Sequence, residues 1–237
     1  MNIARSYQNC CFSVLGDSVS TLDGYQVQDY AVFYDFANMR RSGVLTLPDT
    51  WWGQLIDALG GTLLVNGSYS GSLVCRHPQC EIESYGCSDA RTAALGTAER
   101  SPDVILILMG FNDFGNHMPV EPSPQSADFS VFSVAYAAML QKLKQNYPAA
   151  ELWCLTLPVS DRLSRASAAT LRLPGEHSLE AYCRAIRTCA RQYGCRVLDI
   201  FDPASPFETM DGNHPTAAGM RTIAAAVWQC LEGEGCV

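Results

Sequence analysis

A parallel β-sheet covered by helices on both faces is the fold class this sequence predicts, on three observations. Apolar runs of strand length recur at 11–15, 62–65, 103–109, 151–157 and 196–200. Segments with helical spacing alternate with them, as crossover connections between parallel strands require. The run at 103–109 is apolar at every residue from Val104 to Met109 rather than at every second one, as expected for a strand buried on both faces.

Each element has its own local signal. Cys11-Phe12-Ser13-Val14-Leu15 ends at Gly16, a stop for the first strand. Residues 19–48 are polar and aromatic with little periodicity, and read as irregular. Asp49-Thr50 offers an N-cap to a helix on which Trp51, Trp52, Leu55, Ile56 and Leu59 fall at helical spacing, and Gly60-Gly61 stops it. The second strand follows, then a loop rich in Ser, Gly and Cys. After the third strand, 111–127 reads as a loop punctuated by Pro119, Pro122 and Pro124. Asp128 is the expected cap of a helix running to Tyr147, which Pro148 closes. Residues 158–176 read as a second irregular insertion, Ser178 caps a helix that Gly194 ends, and 216–231 is the closing helix. No repeat or linker divides the chain, so one domain over 1–237 is expected.

Composition narrows the function. The chain is 48% hydrophobic and 17% charged, an ordinary globular balance, with a net charge of -8. Nucleic-acid binding needs a basic face, so no nucleic-acid partner is expected. No apolar stretch approaches the roughly 20 residues of a membrane-spanning helix. The segment after Met1 lacks an apolar leader, which gives a cytoplasmic expectation. The eleven cysteines include no CxxC pair, so no metal site is expected. They read as reduced and mostly buried, small hydrophobes in a chain with enough core to need no disulfide framework.

In an open parallel sheet, functional groups collect beyond the carboxyl ends of the strands. Four polar motifs fall there. Gly16-Asp17-Ser18 follows strand one, and Ser18 at a helix start presents a hydroxyl while its N–H faces a developing oxyanion. A Ser at that place is also an ordinary N-cap. Asn66-Gly67-Ser68-Tyr69-Ser70-Gly71-Ser72 follows strand two, where a glycine lets a backbone N–H approach the same oxyanion. Gly110-Phe111-Asn112-Asp113 ends strand three and offers the Asn112 amide as a donor. Asp211-Gly212-Asn213-His214 puts a carboxylate three residues before a histidine, where it can hold Nδ1–H and leave the other nitrogen to accept a serine proton. Each motif alone also suits a plain turn. Together they hold a nucleophile, an amide donor and an oriented base, the set needed for acyl transfer through a serine ester.

These four segments resemble the blocks of the SGNH hydrolases, the GDSL-like esterase and lipase family. Gly16-Asp17-Ser18 is similar to the first block, with Val19 where the family often has Leu. Asn66 with Gly71 five residues on resembles the second, Gly110-x-Asn112-Asp113 the third, and Asp211-x-x-His214 followed by Pro215 the last. The resemblance implies a flavodoxin-like three-layer α/β/α sandwich with a five-stranded parallel sheet. It implies Ser18 as nucleophile, His214 as general base, Asp211 as its orienter, and an oxyanion hole of the Ser18 and Gly71 N–H groups with the Asn112 side chain. It implies no cofactor. Expected substrates are short-chain acyl esters, with acetyl groups on a carbohydrate as the candidate. The alternatives are an acyltransferase or thioesterase on the same site, a non-catalytic carbohydrate-binding module, and a flavin-binding relative of the fold.

Residues 19–48 and 113–127 are long for this family and are expected to shape access to the site. Tyr25, Tyr30, Phe33, Tyr34, Trp51 and Trp52 suit either core packing under a long loop, the preferred reading, or a sugar-stacking platform. Arg162 suits a solvated arginine or a contact to an anionic substrate. No residue is assigned to substrate binding, and the oligomeric state is left open.

Overall fold

The computed structural model describes residues 6–77, 84–122, 128–165 and 178–233. Five strands, β1 (Cys11–Gly16), β2 (Thr62–Asn66), β3 (Val104–Leu108), β4 (Glu151–Leu155) and β5 (Arg196–Leu198), form one sheet in the order β2-β1-β3-β4-β5. Every neighbouring pair is parallel. This is the flavodoxin-like order. β1 and β3 are buried at every residue, and β2 at the edge is only partly covered. That contrast is why the third strand is apolar throughout and the second is not.

Eight α-helices are described: α1 (Phe36–Ser42), α2 (Trp51–Ala58), α3 (Asp89–Ala93), α4 (Phe111–Gly115), α5 (Phe132–Asn146), α6 (Asp161–Ser164), α7 (Leu179–Gln192) and α8 (Ala217–Glu232). α2 packs against α8, while α5 packs against α3 and α7, so the sheet carries helices on both sides. The expected caps on α2 and α7 are present: Thr50 and Ser178 accept from the N–H groups of Gly53 and Ala181.

Four expectations need correction. Residues 36–42, within the segment read as irregular, form α1, capped by Asp35 and ended by Gly43 at φ 76°. The stretch read as loop from 111 opens with α4, and the insertion from 158 contains α6. Each of these helices is two turns or fewer, too short to develop a period in the sequence. Finally, Asp128 does not cap α5. Its Oδ1 accepts from the N–H and hydroxyl of Ser130 in a separate turn, and the helix begins at Phe132.

Nine cysteines fall among the described residues, all unbridged, and Cys11, Cys75, Cys87, Cys154, Cys183 and Cys189 are buried. Cys80 and Cys236 lie outside the described residues. No helix among the described residues is long and apolar enough to cross a membrane.

Asp113 locks α4 to the loop after β2. It is fully buried, and its two carboxylate oxygens accept from the N–H groups of Val74 (2.8 Å) and Cys75 (2.9 Å). Replacing it with alanine strands both donors. Asp113→Ala is therefore expected to lose about 2–4 kcal/mol of stability in urea unfolding, with an unchanged denaturant slope. A loss below about 1 kcal/mol would mean the two N–H groups find other partners.

Candidate active site

Gly16 makes the first turn possible. A Cβ there would stand 2.6 Å from Ser20 Cβ and 2.8 Å from Ser68 Oγ, so only glycine lets the chain leave β1 this tightly. Asp17 then caps a single 3₁₀ turn over Ser18–Ser20, its Oδ1 accepting from the Val19 N–H at 3.0 Å. Ser18 is the first residue of that turn, where a helical N–H has no partner within the helix. Asp17 is fully buried, and burial pushes its carboxyl up to about 7 against the opposing pull of the Val19 N–H.

The histidine loop is tied at several points. Asp211 Oδ1 accepts from the backbone N–H groups of Asn213 (3.0 Å) and His214 (2.8 Å). Its Oδ2 stands 2.7 Å from His214 Nδ1. The other ring nitrogen, Nε2, lies 3.0 Å from Ser18 Oγ. The Tyr34 hydroxyl donates to the Pro215 carbonyl at 2.7 Å, and the Ser160 hydroxyl to the Gly212 carbonyl at 3.1 Å. Gly212 sits at φ 96°, a left-handed conformation that favours glycine, and a Cβ there would meet Arg162 Cδ at 2.5 Å.

Electrostatics suit a neutral imidazole beside an ionised carboxylate. Burial lowers the His214 pKa from its ordinary value, outweighing the Asp211 carboxylate that favours the charged ring. For Asp211, partial burial pushes upward, but the His214 and Asn213 N–H groups and the His214 ring outweigh it, and the carboxyl lies below its ordinary value. The Asp211 contact therefore fixes the tautomer with the proton on Nδ1, leaving the Nε2 lone pair directed at the Ser18 hydroxyl.

Asn112 is the second residue of α4, placed by Gly110, which turns at φ 130°. Its amide donates one hydrogen to the Ser72 carbonyl at 2.9 Å. A side-chain amide has two, so one remains for a ligand. Gly71, at φ 80°, sits in a turn closed by the Ser72 N–H to the Tyr69 carbonyl (3.1 Å). The next residue, Ser72, is the one whose carbonyl holds the Asn112 amide.

A cavity of about 290 Å³ opens beside Ser18, His214 and Asn112. Val19, Phe111, Phe114, Leu163 and Phe207 form its apolar wall, and Asn116, Ser160 and Asn213 its polar part. Sequence reasoning assigned none of these residues to a cavity wall: Val19 comes from the turn after β1, and the others from α4, α6 and the stretch before the histidine loop, where no period marks them. Of the aromatic cluster, Tyr34, Trp51 and Trp52 are core, with both indole N–H groups donating to Ser20. Arg162 is exposed, its stem lying against Gly212.

Phe33 has a place that the sequence did not indicate. Its ring stacks on the His214 imidazole, with centroids 3.3 Å apart and planes 12° from parallel. The irregular segment after Ser18 thus returns to cover the histidine.

A five-stranded parallel sheet with serine, histidine and aspartate in hydrogen-bonded line at its carboxyl edge defines a class of serine ester hydrolases. The sequence profile of the GDSL-like lipase/acylhydrolase family matches residues 10–231, and the chain belongs to that family. No curated protein matches the chain. Among solved structures, a protein described as a GDSL-like lipase from Bacteroides uniformis is 29% identical, with a TM-score of 0.70 over 94% of this chain and 96% of that one. A similarly described protein from Bacteroides ovatus is 24% identical, with a TM-score of 0.72 over 95% and 99%. An acetyl-xylooligosaccharide esterase from Geobacillus has the same fold at 16% identity, with a TM-score of 0.57 over 100% and 99%.

If burial holds the His214 pKa down, the ring stays neutral as pH falls through the ordinary histidine value of about 6.5 and protonates only below it. Phe33→Ala opens one face of the ring to water and is expected to move the midpoint up. Proton NMR titration of the His214 ring measures both. A parent midpoint above about 6.5, or no rise in the variant, would contradict the account.

Proposed function

We propose that the chain hydrolyses short-chain acyl esters through an acyl-enzyme on Ser18. The observation that carries this reading is the unbroken line Ser18 Oγ, His214 Nε2, His214 Nδ1, Asp211 Oδ2, with contacts of 3.0 and 2.7 Å at its two ends. Ser18 Oγ attacks the ester carbonyl carbon as its proton passes to His214 Nε2. The carbonyl electrons move to oxygen, and the oxyanion is received by the Ser18 and Gly71 N–H groups and the second Asn112 amide hydrogen. Collapse expels the alcohol, which takes the proton from Nε2. Water then attacks the acyl-enzyme by the same route and releases the acid. Asp211 keeps its charge throughout and stabilises the imidazolium formed in each half.

The acyl group is short on this reading. A cavity of about 290 Å³ is at the small end for ligand sites, and its apolar wall is closed by three phenylalanines. Its polar part, Asn116, Ser160 and Asn213, suits a hydroxylated alcohol such as a sugar. The acetyl-xylooligosaccharide esterase that shares the fold is a precedent for such a substrate on this scaffold.

Two outcomes are expected. Ser18→Ala and His214→Ala each lower kcat by about 10⁴-fold or more, and the double variant is little worse than either, because the groups act as a unit. Near-additive losses on folded proteins would contradict a shared step. In a chain-length series of p-nitrophenyl esters below their micellar concentrations, kcat/KM is highest for the C2 to C4 acyl groups. A continuous rise to C12 would instead indicate an open apolar groove.

A further inference from the structure

Arg91, on α3, is the most deeply buried basic side chain among the described residues, and the chemistry above leaves it unused. It is 1% exposed, yet no carboxylate among the described residues lies within ion-pair distance. A buried cation is costly unless its donors are satisfied, so what it binds matters. Its Nη2 donates to the carbonyls of Gly16 (2.9 Å) and Gly67 (2.8 Å). Its Nη1 donates to the Ser72 hydroxyl (2.7 Å) and to the Ser84 carbonyl. The rings of Tyr30 and Tyr69 flank the guanidinium, with centroids 5.5 and 5.7 Å away.

These acceptors share a relation to the site. Gly16 is two residues before Ser18. Ser72 is the residue after Gly71, and its carbonyl is the group that holds the Asn112 amide. Gly67 is where the chain leaves β2 for the Gly71 turn. One planar guanidinium therefore binds the backbone just before Ser18 and at the start of the Gly71 turn, and is linked to Asn112 through Ser72, and a fork of fixed geometry is suited to setting their spacing. Burial lowers its pKa only to about 10, so it is charged at neutral pH.

We propose that Arg91 is a positioning residue for the oxyanion site, setting the separation of the Ser18, Gly71 and Asn112 donors by binding the backbone behind them. This rests on the acyl-enzyme reading above. Arg91 touches no substrate. It acts by keeping the donors where the oxyanion forms, so its loss is felt in the chemical step more than in substrate binding.

The test uses the full chain with a short p-nitrophenyl ester, comparing Arg91→Lys, Asn112→Ala, their double variant and Ser18→Ala. Arg91→Lys keeps the charge and loses the fork. It is expected to fold, to lower kcat about 10- to 100-fold, and to leave KM within about threefold. Asn112→Ala is expected to lower kcat about 10²- to 10³-fold, and the double variant to lose less than the product of the two single losses. A folded Arg91→Lys with kcat within about threefold of the parent overturns the proposal, as does a double variant whose losses multiply. If Arg91→Lys does not fold, Ser72→Ala removes one acceptor and leaves the backbone carbonyl that holds Asn112. It is then expected to lower kcat about 3- to 10-fold without changing KM, and an unchanged kcat overturns the proposal. Ser18→Ala separates the two claims. Activity retained there defeats the nucleophile reading, whereas activity lost there but kept in Arg91→Lys defeats only the positioning role.

Discussion

The register between β1 and β3, with Gly16 opposite Leu108, is the constraint on which the site depends. The chain leaves β1 toward β2 on one side, and the next strand, β3, returns on the other. This opens a crevice at their carboxyl ends, where the strand order reverses. Ser18 comes two residues beyond one end of that register and Asn112 four beyond the other. A slip of one residue would turn every side chain of β1 to the opposite face and carry the serine away. The continuous burial of both strands makes such a slip costly, so the apolar core fixes the polar geometry.

Within that frame the histidine loop is held by groups distant in sequence. Asp211 orders the turn through two backbone N–H groups as well as the ring, and Ser160, Tyr34 and Phe33 fix it from outside. The Phe33 stack excludes water from one face of the imidazole, favouring the neutral ring that a general base requires. Desolvation and the carboxylate pull the His214 pKa in opposite directions, and here desolvation is the larger. The carboxylate contributes orientation and the tautomer more than basicity.

Much of this was legible in the sequence, for identifiable reasons. Strands β1 and β3 announce themselves because burial on both faces demands continuous apolar residues, and Thr50 and Ser178 because capping needs a short polar side chain. The motif residues Ser18, Asn112, Asp211 and His214 were visible because parallel topology places them on one edge; hydrogen bonds join Ser18, His214 and Asp211, and Asn112 lines the same cavity as Ser18 and His214. What stayed hidden depends on contacts between distant segments. Nothing in the sequence marks Phe33 as the ring that meets His214, Arg91 as the group behind Gly16 and Gly67, or Phe207 as part of the cavity wall. The short helices α1, α4 and α6 were missed because each is two turns or fewer, too short to show a helical period.

Labelling with a small p-nitrophenyl phosphonate, followed by peptide mapping, tests the central claim most directly, because phosphonylation needs an activated hydroxyl with an oxyanion site beside it. One label per chain on the peptide holding Ser18, gained in step with the loss of esterase activity and absent in His214→Ala, is the result predicted here. Full loss of activity with the label on any other residue would contradict the assignment of Ser18 as the nucleophile.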